Sequence, residues 1–286
     1  MKACPICGAS EGRLRYRIRG FGILACGRCT GWYLREAAAD GEAYAGGYLR
    51  RASDADGTRG YYDYEAERGL HLRNFARNVE ILRQYGAAGA LCDVGCASGH
   101  FLEGARASGM FDRVAGVDVS AEAIAAVQER LGCAAWAGQV EQMQPPGQFD
   151  VVTMWETIEH IERPVEALAA LRGWMNPGGL LAVGTGDNAS AVARLLGRRW
   201  WYLVPPDHCV YFNKVALGMA LERAGYRVVG WRRIWMHWVS AANGVMKLLR
   251  TFEASPSLAV GVARRVGAVG VPVWHGSTIV ALARLA

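Results

Sequence analysis

One stretch constrains the fold of this chain more than any other. It is Leu91-Cys92-Asp93-Val94-Gly95-Cys96-Ala97-Ser98-Gly99, followed by an apolar run ending in Asp118, twenty-five positions after Asp93. Glycines placed after a strand let backbone N–H groups approach a ligand at the crevice outside the strand ends. An acidic residue closing the next strand suits a ribose diol. The pattern therefore predicts a nucleoside cofactor bound at the edge of a parallel sheet. It is not the dinucleotide fingerprint, which requires three glycines as GxGxxG: here Gly95 and Gly99 stand alone, with an acidic residue before the first.

The surrounding sequence alternates helical and strand signals. Leu72, Phe75, Val79 and Leu82 recur at helical spacing and predict a helix over 63–85. Beyond Gly99 the chain reads as helix 101–108, strand 114–118, helix 121–131, strand 133–137, strand 149–155, helix 165–175, strand 180–185, helix 214–223 and strands 226–232 and 278–285. Strands alternating with helices make a parallel sheet and an α/β fold. Asn176-Pro177-Gly178-Gly179 stops one helix and turns into the next strand.

Asp93 to Gly99, the segment Phe149-Asp150-Val151-Val152-Thr153-Met154-Trp155-Glu156-Thr157-Ile158-Glu159-His160-Ile161 and the Pro-Gly-Gly turn stand in this order along 63–285. Together they resemble the class I S-adenosylmethionine (SAM)-dependent methyltransferases, of the small-molecule, natural-product or glycan type with a UbiG-like domain. The resemblance implies a Rossmann-like sheet of seven strands, the last antiparallel, with helices on both faces. It implies that Asp93, Gly95 and the backbone of Cys96, Ala97 and Gly99 hold the methionyl part of SAM, and that Asp118 accepts both ribose hydroxyls. Val119 and Ser120 would flank the adenine, and Gln139 and Val140 would stand near its amino group. Trp155 and Glu156 would close the fourth strand beside the methyl group, although Trp155 can equally be core and Glu156 a helix cap. Tyr61, Tyr62 and Tyr64 would either form a lid over the cofactor or pack the linker down.

Methyl transfer to oxygen also sheds a proton, and histidine is the side chain suited to accept it near neutral pH. Of six histidines, His208 is the candidate general base. It lies between the fifth strand and the next helix, in a loop (200–212) that faces the substrate in this fold and is similar to the Pro-x-His-x-x-x-Phe segment of small-molecule methyltransferases. The alternative is a structural histidine bonded to backbone.

Cys4-Pro5-Ile6-Cys7 and Cys26-Gly27-Arg28-Cys29 form two CxxC knuckles eighteen residues apart. That is the spacing of a tetrathiolate zinc site, closed and therefore structural. Gly8 and Gly27 are expected to supply the backbone freedom. Leu14, Tyr16 and Ile18 alternate with Arg13, Arg15, Arg17 and Arg19, a strand with one basic face. The competing disulfide pairing is rare in the cytosol. Residues 1–35 thus form a zinc ribbon too small to fold without its metal, 36–62 a linker, and 63–286 the methyltransferase domain with a helical insertion about 233–277. Trp231, Trp235 and Trp238 precede helical stretches near 239–252 and 258–267, with Lys247, Arg250, Arg264 and Arg265 among them. Such an insert either caps the pocket or a dimer face, or makes peripheral membrane contact.

Composition narrows the alternatives. A chain of 286 residues, 52% hydrophobic and 20% charged, is a well-packed globular protein and not a disordered one. The amino terminus has no apolar run to serve as a secretory signal, so the chain is expected in the cytoplasm, either free or peripheral to the inner membrane face. Residues 266–283 carry no formal charge, but three glycines, Pro272 and His275 interrupt them and exclude a span. Of the net +6, residues 1–35 hold seven Lys/Arg against Glu11 and residues 231–286 hold seven against Glu253, which leaves 36–230 at −6. The basic ends are either solvated faces or contacts for a polyanionic or membrane partner. The expected acceptor is a small molecule, or a sugar- or lipid-linked one. A zinc-ribbon RNA methyltransferase is the alternative, disfavoured because no Asn/Asp-Pro-Pro-Tyr/Phe segment follows strand 149–155. A scaffold without activity is a third reading, against which the intact Asp93, Gly95, Gly99 and Asp118 argue.

Overall fold

In the computed structural model, which describes residues 2–10, 12–36, 67–245 and 269–286, the apolar runs ending at Val94 and Asp118 become adjacent parallel strands. These are β4 (Gly89–Val94) and β5 (Phe111–Asp118), paired from Ala90↔Arg113 to Val94↔Val117. On the far side of β5 lies β6 (Ala134–Ala137). On the other side of β4 come β7 (Phe149–Trp155) and then β8 (Met175–Gly186), all parallel. The sheet ends with β11 (Gly270–Leu285), antiparallel to β8, and β10 (Tyr226–Ser240) at the edge. Among the described residues this is a seven-stranded sheet of order β10-β11-β8-β7-β4-β5-β6. Its central strands read as continuous apolar runs because helices cover both faces.

The helices are α1 (Arg68–Gln84), α2 (His100–Ala107), α3 (Ala121–Leu131), α4 (Pro164–Leu171), α5 (Ala191–Leu196) and α6 (Lys214–Arg223). Their starts follow from local chemistry. Ser120, Ser190 and Asn213 each accept a backbone N–H three residues on, and Pro164 sits in the first turn of α4. Gly132 ends α3 in the left-handed conformation.

The amino-terminal ribbon is an antiparallel sheet of β1 (Gly12–Ile18), β2 (Phe21–Cys26) and β3 (Trp32–Leu34). It is not a bead on a string. Strand β3 pairs with β9 (Val210–Tyr211) of the 200–212 loop, and one continuous core runs from Ile6, Ile23 and Trp32 into Leu181, Phe212 and Leu217. The ribbon therefore buries its apolar face against the larger domain, as a module of its size must.

Two expectations are corrected. The predicted alternation in β1 is broken by a bulge between Leu14 and Tyr16, where Arg15 is the extra residue, so the strand has no single basic face. By register, Arg13 lies on the side of Tyr16 and Trp32, whereas Arg17 lies on the opposite side with Leu14. The insertion is also less helical than expected, because 233–240 and 270–277 continue β10 and β11 as a long hairpin. Trp231, Trp235 and Trp238 lie on strand β10, where aromatic and β-branched residues pack well. The hairpin's outer half reaches past β8 and leans on α1. Asn74 exchanges two 2.8 Å hydrogen bonds with the Trp238 backbone, and Arg73 stacks 3.4 Å above the Trp238 ring. Residues 241–245 are helical. The rest of the expected insert helices, and nearly all of the 36–62 linker, lie outside the described residues. No helix among the described residues is long and apolar enough to cross a membrane.

Candidate functional site

The carboxyl ends of β4, β5 and β7 open onto one crevice. Gly95 takes φ +76°, and a Cβ there would stand 2.3 Å from the Thr157 hydroxyl, so only glycine lets the loop pass. Ala97 in the same loop also takes a positive φ, +47°, as does Glu156 at the end of β7, +51°. Such strain in non-glycine residues is concentrated at binding sites. The loop is anchored by Gly95 N–H donating to the Val117 carbonyl at 2.7 Å and by the Arg130 guanidinium donating to the Ser98 carbonyl.

Asp118 and Asp93 stand at the base of this crevice. Asp118 accepts Ala97 N–H on one carboxylate oxygen and Ser120 N–H on the other, each at 2.9 Å. Each oxygen keeps further acceptor capacity, which is what a vicinal diol requires. Burial raises its pKa, opposed by these backbone bonds. Asp93 is fully enclosed, accepts the Thr153 hydroxyl at 2.6 Å, and is pushed up to about 8 by burial, with Thr153 opposing and Asp118 adding to the rise. Val119 is exposed beside it, Gln139 is exposed, and Val140 is buried. The Trp155 ring packs edge-on to Phe101 at 5.4 Å and covers Gly184. Its Nε1–H is buried without a hydrogen-bond partner, an atom that a bound ligand can satisfy. Tyr61, Tyr62 and Tyr64 lie outside the described residues.

Beyond the end of β7 lies a polar cluster. His208 Nδ1 lies 2.8 Å from the Tyr202 carbonyl, and His160 Nδ1 lies 2.8 Å from that of Asp207. A carbonyl can only accept, so His208 Nδ1 carries the proton and Nε2 is the basic nitrogen of the neutral ring. The His160 and His208 rings meet edge to face at 4.6 Å, and Tyr202 lies 4.3 Å from His208. Beneath them Glu159, fully buried, accepts the Tyr202 hydroxyl and, at 2.8 Å, the Thr185 hydroxyl. Burial pushes Glu159 up to about 7, the two hydroxyls opposing, and burial lowers His160. Ligand atoms of Glu159, His160 and His208 all lie within 4.8 Å of one another.

The comparisons with known proteins agree with this geometry. Residues 61–230 match the family described as "Methyltransferase domain". The chain belongs to this family. It is a SAM-dependent methyltransferase of class I fold. A ubiquinone biosynthesis O-methyltransferase of Rhodopseudomonas palustris is 32% identical over 180 residues, 55% of this chain and 68% of that one. Its counterpart in Pseudomonas paraeruginosa is 34% identical over 134 residues, 44% of this chain and 57% of its own length. In fold, the chain is similar to a SAM-dependent methyltransferase of Thermotoga maritima (TM-score 0.51, 17% identity, 77% of this chain and 92% of that one). It is also similar to mitomycin 7-O-methyltransferase (TM-score 0.51, 16% identity, 76% and 54%).

The methyltransferase carries a second constellation at its amino terminus. Cys4, Cys7, Cys26 and Cys29 are buried, with all four sulfurs within 4.8 Å of one another. Cys4 Sγ and Cys29 Sγ are 3.6 Å apart, and Cys7 Sγ and Cys26 Sγ are 3.5 Å apart. A tetrahedral zinc with bonds of about 2.3 Å spaces its sulfurs about 3.8 Å apart, so the four residues fit that ion. Gly8 supplies the left-handed turn after the first knuckle, but after the second it is Thr30, at φ +61°, and not Gly27.

A β-branched residue in that conformation is an outlier, and Asn213 holds it there. Asn213 Nδ2 donates to the Thr30 carbonyl (3.1 Å) and to the Asn188 side-chain oxygen (2.9 Å), while its Oδ1 caps α6. Sequence reasoning missed this clamp between ribbon and catalytic domain of the methyltransferase, since its members lie at 30, 188 and 213. It also missed the Asp187–Arg233 pair, 2.6 Å, which ties the loop after β8 to the hairpin.

Proposed function

We propose that this methyltransferase moves the methyl group of SAM to an oxygen of a small-molecule, sugar-linked or lipid-linked acceptor, with His208 as general base. The observation that carries this reading is the tautomer of His208. The Tyr202 carbonyl holds the proton on Nδ1 and leaves Nε2 as the base, at the carboxyl end of β7 where the glycine loop and Asp118 also converge. The two relatives named above are O-methyltransferases, which supports oxygen as the acceptor atom.

In this reading SAM supplies an electrophilic methyl group on a sulfonium, and the chain's own residues position it. Asp93, Gly95 and the backbone of Cys96, Ala97 and Gly99 hold the methionyl end, Asp118 the ribose, and Val119, Ser120, Gln139 and Val140 the adenine side. Trp155 and Glu156 wall the reacting centre. His208 Nε2 takes the hydroxyl proton as the acceptor oxygen attacks, and the edge-on His160 and the Tyr202 ring hold the imidazole in place. In-line displacement depends mostly on alignment, so a rigid acceptor loop matters as much as the base. The four cysteines hold a structural zinc that keeps β3 in place beside that loop.

The test is methyl transfer from labelled SAM into separated metabolite, lipid and RNA pools. Label in the metabolite or lipid pool that disappears with His208→Ala, at unchanged SAM affinity, is the expected result. Label confined to RNA would replace this reading with the RNA methyltransferase.

A further inference from the structure

Two stretches that meet beside the acceptor loop contain no acidic residue. Residues 12–35 carry six arginines and residues 188–206 carry three, and neither stretch has a lysine. The structure brings part of each onto one face. A Cβ on Gly197 would lie 3.6 Å from the Tyr16 hydroxyl, so the turn Gly197–Arg199 abuts β1. Arg13 and Arg15 of β1 and Arg194, Arg198 and Arg199 of the turn region are all exposed.

The bulge in β1 decides which arginines lie on the Trp32 side of the ribbon. It lays the Arg15 guanidinium over the Trp32 ring at 4.5 Å. From there an unbroken aromatic series leads inward: Trp32 to Trp200 at 6.4 Å, Trp200 to Tyr202 at 5.1 Å, and Tyr202 to His208 at 4.3 Å. Arg199 precedes Trp200 directly. Arg17, although on the same strand, lies on the opposite side of the ribbon.

We infer that this arginine rim binds a phosphate or diphosphate group carried by the methyl acceptor, so that the ribbon forms part of the acceptor site. Guanidinium groups match phosphate oxygens in paired, charge-assisted hydrogen bonds, and an all-arginine set without lysine suits that geometry. A compact anion fits better than a nucleic-acid strand, because residues 36–230 together carry −6 and a long polyanion leaving the rim would run onto an acidic body. The aromatic series packs this rim against the loop that carries His208, so the two lie on one side of the molecule. The phosphate can be borne by a soluble metabolite or by a lipid.

The inference rests on the acceptor-site reading of His208 and its loop, and the experiment separates the two. Full-length, zinc-loaded protein is titrated by calorimetry with inorganic pyrophosphate, and separately with SAM. Pyrophosphate is expected to bind one saturable site, weakened about tenfold or more in the exposed double variant Arg198→Gln/Arg199→Gln and in Arg15→Gln. Arg17→Gln should change it by less than about twofold. SAM affinity should be the same in all variants.

Absence of pyrophosphate binding in a protein that still binds SAM and still loses methyl transfer with His208→Ala would overturn the phosphate site and leave the methyltransferase reading intact. An equal loss in Arg17→Gln would reduce the effect to general charge and overturn it as well, as would tighter binding of a short RNA through Arg17 and Arg15 alike. Vesicles containing phosphatidic acid identify the source. Binding that pyrophosphate displaces assigns the phosphate to a lipid-linked acceptor, and no vesicle binding assigns it to a soluble one. Vesicle binding indifferent to both pyrophosphate and the arginine substitutions counts against the site.

Discussion

Trp32 of the ribbon and Tyr211 of the acceptor loop face each other as partners in an antiparallel ladder, their rings 6.4 Å apart. Two residues, Cys209 and Val210, separate Tyr211 from His208. The element that carries the four cysteines and the loop that carries the candidate base are therefore neighbours in one small sheet, and disturbing the first is expected to move the second.

Metal removal is accordingly expected to act at a distance. Chelation, or Cys29→Ser, should remove one zinc per chain and lower the melting temperature of the whole molecule in a single transition, because ribbon and catalytic domain share one core. A loop displaced by about an ångström costs roughly a hundredfold in rate, so kcat/KM should fall by about that much with SAM affinity held. A separate low-temperature ribbon transition in calorimetry would show that the two parts are independent.

Asp118→Ala tests the cofactor crevice. Two hydrogen bonds to a charged acceptor are worth about 1.5–3 kcal/mol each, so the Kd for SAM should rise by about a hundredfold or more. Gly95→Ala should do the same and also destabilise the fold, since the added Cβ meets Thr157 at 2.3 Å. Isothermal calorimetry giving wild-type affinity for Asp118→Ala would remove it from the site.

For His208, a general base typically contributes about 10²–10⁴-fold. His208→Ala should lower kcat within that range with unchanged SAM binding, and Tyr202→Phe should have a smaller effect, since it is the Tyr202 carbonyl that orients the ring. Wild-type turnover by His208→Ala in a single-turnover assay would show that the residue is structural.

Buried carboxyls set an unusual pH response. Glu159 is pushed up to about 7 and Asp93 to about 8, in both cases first by burial. The fold thus favours their neutral forms, and stability present at about pH 4 is lost as pH rises through those values. Glu103, lowered by Arg68 and Arg130 against its burial, acts below the ordinary carboxylate range, outside this window. Melting temperatures of the cofactor-free protein should fall between about pH 5 and pH 8. Glu159→Gln should flatten the lower part of that fall and Asp93→Asn the upper. A flat wild-type profile would contradict both assignments.

The Asp187–Arg233 pair joins the loop after β8 to the hairpin. Asp187 is buried, so Arg233→Met leaves its charge unpaired. Loss of one partner of such a pair costs about 3–5 kcal/mol, with the lower end expected here because the Arg233 side chain is 25% exposed. Urea unfolding of Arg233→Met, and of Arg233→Met/Asp187→Asn, should show the loss and its partial recovery.

Local patterns carried most of the sheet. Helix Ala121–Leu131, strand Phe149–Trp155 and helix Lys214–Arg223 lie where the sequence pattern places them. The two CxxC knuckles converge as their spacing requires. Elements held by long-range contacts were less legible. The β1 bulge and the Thr30 turn depend on β2 and Asn213, and neither leaves a mark at its own position. The strand beyond Arg232 falls inside the expected helical insertion, because its partner lies thirty or more residues on and only α1 supplies the surface on which it lies.

From sequence alone came the fold class, the glycine loop with Asp93 and Asp118, the four cysteines as a candidate metal-ligand set and His208 as the candidate base. Each is encoded by spacing within one or two adjacent elements, where backbone geometry leaves few alternatives. Tertiary structure alone decided that the ribbon is built into the larger domain beside the 200–212 loop, through Trp32–Tyr211 pairing and the Thr30–Asn213–Asn188 bonds. It also decided which nitrogen of His208 carries the proton, and which of the three β1 arginines lie on the Trp32 side of the ribbon. These depend on contacts between residues up to about two hundred positions apart, and such contacts exist only once the apolar faces of both parts are buried together.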